Sequence, residues 1–134
     1  MNEEVFSITK NPVRAKALKD MAEERLIDIK KEDKAYKILE QYYEIIKELI
    51  TAIMYLDGFK TLSHKTLIFY LETNYKKHFN RDEFFLIDET RRLRNDILYY
   101  GRKVSRDFLI NKESQLKIII TKLVKINNEK PNQH

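Results

Sequence analysis

The chain has 134 residues, 43% hydrophobic and 35% charged, with a formal net charge of +5. That is long enough for one domain with a real core and too apolar for a disordered chain, while the positive balance favours polyanionic partners such as RNA. The lack of cysteine excludes a disulfide framework, a thiolate nucleophile and a cysteine zinc site, and only two glycines, two prolines and three histidines argue against all-β folds and the usual metal sites.

The first ten residues, MNEEVFSITK, are polar and carry two acids where an export signal needs positive charge. They read as a flexible N-terminus, and with the absence of cysteine they fit a cytoplasmic protein. Asn11 and Pro12 then form a helix start, a capping residue followed by proline at the first helical position. Leu18, Met21, Ala22, Leu26 and Ile29 mark one face of that helix, to about residue 31.

The second helix is predicted from about Asp33 to Gly58. Ala35, Leu39, Tyr42, Ile46, Leu49, Ile53 and Leu56 recur in heptad spacing, and Tyr36, Tyr43 and Ile50 widen the stripe. Two readings fit so broad a face: a central helix inside one bundle, or a helix that also meets a second subunit. The most apolar run, IIKELITAIMYL, includes Lys47 and Glu48 and is too short to span a membrane. Glu40 and Glu44 lie one turn apart beside Lys47, a spacing that suits a carboxylate site or, more simply, intrahelical ion pairing.

Ser63 caps a third helix that runs to about Tyr75, with His64 at its start and His78 in the loop beyond it. Asn80-Arg81-Asp82-Glu83 fits a capping box and opens a fourth helix that ends near Gly101. Ser105 caps a fifth, to about residue 127. Its run Ile118-Ile119-Ile120-Thr121 has strand propensity, but Leu116, Ile119, Ile120, Leu123 and Ile126 keep helical spacing. The expectation is an all-α, five-helix, mainly antiparallel bundle over residues 11–127. Its second and fourth helices are central, and residues 128–134 form a flexible tail.

The stretch RRLRNDILYYG, residues 91–101, stands out for its cations. On a helix, Leu86, Thr90, Leu93, Ile97, Tyr100 and Val104 fall in a core-facing stripe. Asp88, Arg92, Asn95, Tyr99, Arg102 and Arg106 fall in a polar one, with Arg94 beside it. Guanidinium forks bind phosphate in bidentate fashion, asparagine and tyrosine add hydrogen bonds, and an exposed tyrosine stacks on an unpaired base. Arg91, Arg92, Arg94, Arg102 and Arg106 are therefore the candidate phosphate-binding residues. A solvated helix face, its arginines paired to Asp88, Glu89, Asp96 and Asp107, fits the same spacing.

Arg94-Asn95 with an aromatic residue five positions after the arginine resembles the motif of the HEPN family. The likeness extends to Glu40, Tyr43, Glu44, the run Ile46–Ile50, Gly58, Lys60 and His64. The resemblance implies a compact helical bundle found in prokaryotic toxin–antitoxin pairs and other RNA-targeting systems. It also implies a homodimer with a composite cleft, and a partner nucleotidyltransferase acting as antitoxin. Active members of the family are endoribonucleases that use no metal or cofactor. Their arginine stabilises phosphate charge and their histidine handles protons.

Arg94 and Asn95 match the first two motif positions, whereas Tyr99 stands where the family has histidine. A phenol, with an ordinary pKa of about 10, is a poor base near neutrality beside an imidazole at about 6.5. Losing a general base costs on the order of 10²–10⁴ in rate. The expectation is an RNA- or nucleotide-binding protein with a degenerate catalytic set of Arg94, Asn95 and Tyr99, whose cutting is weak or lost. Tyr99 and Tyr100 are also candidates for nucleotide attachment by a partner enzyme, as in some relatives. Two alternatives stand beside it: a non-catalytic interaction module using the broad helix-two face to bind itself or that partner, and a true ribonuclease in which Tyr99, or a distant histidine such as His64 or His78, does the proton transfer.

Overall fold

The computed structural model describes residues 4–130. A short strand, β1 (Val5–Ser7), precedes α1 (Pro12–Ile29) and α2 (Ala35–Asp57). Strand β2 (Phe59–Thr61) follows at once, and then come α3 (His64–Asn74), α4 (Arg81–Tyr100) and α5 (Arg106–Glu129). The all-α bundle of five helices is as expected, and α1, α3 and α4 begin at side-chain caps.

The Asn11 side chain accepts the Arg14 amide at 3.0 Å, with Pro12 inside the first turn. Ser63 accepts the Thr66 amide at 3.2 Å. At α4 the capping box is complete, because Asn80 accepts the Glu83 amide and Glu83 accepts the Asn80 amide. Ser105 stands at the cap of α5, but its side chain makes no capping bond.

The second helix is the hub. It packs against α1, α3, α4 and α5, and thirteen of its residues are buried. Tyr43 and Ile50, which widened the stripe, lie inside the chain, and of that trio only Tyr36 is exposed. The breadth of the face is thus satisfied within one chain, and it supplies no ground for a subunit interface. The fourth helix packs on α2 between α3 and α5, so α2 alone is central rather than α2 and α4 together.

Three expectations are corrected. The segment 1–10, read as flexible, contains β1, whose residues pair antiparallel with β2 in the register Val5↔Thr61, Phe6↔Lys60, Ser7↔Phe59. The Ile8 amide also donates to the Gly58 carbonyl at 2.9 Å, and the Asn11 amide to Tyr55 at 3.0 Å. Gly58 makes this possible: its φ of 91° ends α2 in the left-handed region, and an added Cβ would sit 3.1 Å from the Ile8 carbonyl. Second, α5 continues to Glu129, into the stretch read as a tail, and residues 131–134 lie outside the described residues.

Third, Tyr100 is not a core residue. Leu86, Thr90 and Ile97 are buried as the stripe requires, but Tyr100 is 82% exposed. Gly101, at φ 63°, closes α4 there, so the helical period stops before Val104, and the last turn stands clear of the core. Arg102 consequently lies in the connection, and Arg106 is the first residue of α5.

One carboxylate ties three elements together at the far end of α2. Asp57 accepts the hydroxyls of Tyr70 and Tyr75, each at 2.6 Å, and pairs with Lys130 at 2.8 Å. The Lys130 ammonium also lies over the Tyr75 ring. Asp57→Ala leaves two phenols, one on buried Tyr70 and one on partly buried Tyr75, without their acceptor. It should lower the free energy of unfolding by about 1–3 kcal/mol, the scale of losing charged hydrogen bonds. Urea denaturation with the slope unchanged checks this, and Tyr70→Phe added to Asp57→Ala should then cost less than it does alone.

Candidate functional site

The three arginines of RRLR leave α4 in different directions. Arg91 turns inward, is buried, and donates from Nε to Asp88 at 2.9 Å. Arg92 points outward, 3.4 Å from the other oxygen of Asp88 and over the exposed ring of Phe85. Arg94 reaches across to α2, where Nη2 donates to Glu44 at 3.1 Å and Nη1 to Asn95 at 3.4 Å. Its guanidinium lies 5.5 Å from the centre of the Tyr43 ring.

The remaining two arginines also have partners. Arg102 donates to Asp96 at 2.9 Å, and Arg106 donates to the backbone carbonyl of Asp33. Local acids therefore engage most of these cations, as the solvated-face reading anticipated. The polar stripe does not run unbroken from Asp88 to Arg106, because the helix ends at Tyr100.

Glu44 is the junction of the inward set. It accepts Lys47 at 2.7 Å as well as Arg94, so the pairing of Glu44 with Lys47 is realised rather than a pair of free carboxylates. Burial alone would raise the Glu44 carboxyl, but the Lys47 ammonium and the Arg94 guanidinium hold it below its ordinary 4.5. The neighbouring pair behaves in the opposite way. Arg25 grips Glu48 through Nε at 3.0 Å and donates to Gln41 at 2.9 Å, yet the desolvation of Glu48 outweighs its partner and the carboxyl is raised. Arg25, Gln41, Glu44, Arg94 and Leu98 line an open groove of about 340 Å³ bounded by α1, α2 and α4.

Behind Arg94, the Tyr43 hydroxyl lies 2.9 Å from Nδ1 of His64, at the first turn of α3, with the two rings 5.6 Å apart. Burial pushes the Tyr43 phenol well above the ordinary value, with Arg94 and Arg91 opposing, so the phenol keeps its proton, and which group donates in the bond follows the His64 tautomer. Burial, followed by the charges of Lys47 and Arg94, lowers His64 below 6.5. The structure thus brings His64 to the Arg94 cluster, whereas His78 stacks beside Tyr75 at the α3–α4 connection. Tyr43 entered the sequence reasoning through the helix-two stripe and the family likeness, with no chemical role assigned. No periodicity signals its role, since the contacts that define it come from α3 and α4.

Tyr99 and Tyr100 end α4 in solvent, 69% and 82% exposed. With Asn95, Arg92 and Arg102 they border the outer side of the helix end, while Arg94 borders the groove. A larger hollow of about 640 Å³ between α4 and α5 has Phe85, Leu86, Lys112 and Ile118 in its walls and none of the candidate residues. Among the described residues no group of three or more acidic, histidine or cysteine side chains is placed to hold a metal, and no helix is long and apolar enough to cross a membrane. Compared with protein-family models, curated proteins and solved structures, the chain matches none.

The depressed Glu44 carboxyl has a signed consequence. Its folded value lies below 4.5, so its contribution to stability is present above that pH and is lost as pH falls through the folded value. Glu44→Gln should destabilise the protein by about 1–3 kcal/mol at pH 7. The difference from wild type should close in acid, as urea midpoints measured across the acid range would report.

Proposed function

We propose that the chain is an RNA-binding helical protein of the HEPN type that has kept its phosphate- and base-binding groups and retains little cutting activity. What carries this reading is the pair of adjacent exposed tyrosines at the end of α4, whose polar stripe also holds Arg92 and Asn95 and is followed by Arg102. Two large aromatic side chains left in water beside guanidinium groups suit an unpaired base held by stacking while its phosphates meet cations. The exposed pairs Arg92–Asp88 and Arg102–Asp96 are weakly held, so a phosphate displaces their carboxylates at little cost. Arg94, anchored in the groove, supplies the fixed cation of the Arg94-Asn95 motif.

Two copies meeting along this end of α4 would cover Leu98, which is half-exposed, and bring two Arg94 sets into one cleft. That is the homodimer the resemblance implies. The same exposed hydroxyls suit nucleotide attachment by a partner nucleotidyltransferase. Intact-mass measurement with that enzyme would then show one nucleotidyl addition, removed by Tyr99→Phe or Tyr100→Phe.

Single-stranded RNA should bind with an affinity that falls steeply with salt, because phosphate contacts release counterions. Arg94→Ala should weaken binding by about 1–3 kcal/mol, with Lys47 left to pair Glu44 so that the bundle stays folded. Cleavage with a chelator present should be slight in wild type and rise in Tyr99→His. Fluorescence anisotropy and a gel cleavage assay read both. RNA affinity unchanged in the Arg94→Ala/Arg102→Ala double variant would reduce the stretch to a solvated helix face.

A further inference from the structure

The inward cluster joins three helices through one relay. His64 at the start of α3 meets the hydroxyl of Tyr43 on α2, the Tyr43 ring underlies the guanidinium of Arg94 on α4, and Arg94 lines the groove. Groups that act on His64 come from both neighbouring helices: Glu44 and Lys47 of α2, and Arg91 and Arg94 of α4. Arg91 is itself paired with Asp88, so with His64 neutral the cluster holds three cations against two carboxylates, a net charge of +1. Glu44 is already shared by Lys47 and Arg94.

We infer that His64 is a positioning residue for Arg94, and that protonation of its ring strengthens the grip of the Arg94 groove on a phosphodiester. The proposal rests on the RNA-binding reading above. With its hydrogen on Nε2, the neutral ring accepts the Tyr43 proton at Nδ1, and that bond holds the phenol beneath Arg94. A proton added at Nδ1 reverses that bond, because the ring then donates to the phenol oxygen. The cluster then gains a positive charge beyond those that Glu44 and Asp88 offset, and a phosphodiester oxygen at Arg94 offsets it. Proton and anion binding then favour each other, and by reciprocity a bound phosphodiester must raise the midpoint of His64.

Ring-proton NMR of the full chain tests this, with the His78 resonance as an internal reference. Without ligand, Arg94→Gln should move the His64 midpoint upward, since the Arg94 charge opposes its protonation. An unmoved midpoint breaks the relay and overturns the inference without any appeal to RNA. With a short single-stranded RNA added, the wild-type His64 midpoint should rise. Affinity should also tighten about fivefold as the ring gains its proton in mild acid, the lower end of ordinary coupling between sites. In His64→Gln, where the amide oxygen still accepts Tyr43, binding should persist at its neutral strength and lose that tightening. RNA binding that ignores pH and leaves the His64 midpoint in place overturns the coupling alone. No RNA binding at any pH, with the Arg94→Gln shift intact, overturns the function proposed for the groove and the coupling with it.

Discussion

The constraint on which this molecule depends is that α2 carries a broad apolar face, thirteen of its residues buried, beside a narrower polar stripe of Lys37, Glu40, Glu44, Lys47 and Thr51. So wide a face must be covered, and the other four helices pack against it. Its polar groups are then trapped in or near the core, where an unpartnered donor or acceptor costs about 1–3 kcal/mol. Each recruits a different neighbour. Glu48 takes Arg25 from α1, Tyr43 takes His64 from α3, Glu44 takes Arg94 from α4, and Tyr42 takes Glu113 from α5 at 2.5 Å. The Leu49 carbonyl accepts from buried Asn127, and Asp57 closes the series at the end of the helix. No buried side-chain nitrogen or oxygen among the described residues lacks a partner. The bonds that fix the register of the bundle therefore also build the polar cluster behind Arg94.

Features set by neighbours in sequence were legible in the sequence. The caps at Asn11, Ser63 and Asn80, the stop at Gly58 and the helical spacing of α5 through its isoleucine run all depend on residues within a few positions of each other. What was not legible depends on distant pairing. Strand β1 is only three residues long and exists because β2 lies across from it, so no alternation could announce it. Tyr100 has the correct period for a core position, but period says nothing about whether a neighbour reaches the last turn of the helix. The site divides in the same way. Arg94 and Asn95 were visible as a motif, whereas Tyr43 and His64 join it only through packing.

The arginines of α4 and of the connection after it fall into two energetic classes that composition cannot separate. Arg92 and Arg102 hold solvent-exposed pairs, worth roughly 0–1 kcal/mol each, and can trade an aspartate for a phosphate almost freely. Arg91 and Arg94 are less exposed, and each shares its carboxylate with a second cation, Asp88 with Arg92 and Glu44 with Lys47. A ligand arriving along the outer side of α4 would meet adjustable cations first and a fixed one only at the groove. Such an order separates capture from alignment, and it lets the outer residues vary without disturbing the bundle.

Glu44 decides whether the fixed cation can act at all. A phosphodiester oxygen approaching Arg94 competes with a carboxylate that is already charged and partly desolvated. Were Arg94 its only partner, that competition would leave a bare charge in the half-buried wall. Lys47 removes this penalty, because it sits one helical turn away at 2.7 Å and stays with Glu44 when Arg94 turns toward the groove. The pair that looks on the sequence like ordinary surface stabilisation thus has a second consequence. It makes the Arg94 guanidinium releasable, and the Tyr43 ring beneath it keeps the released fork near the groove wall.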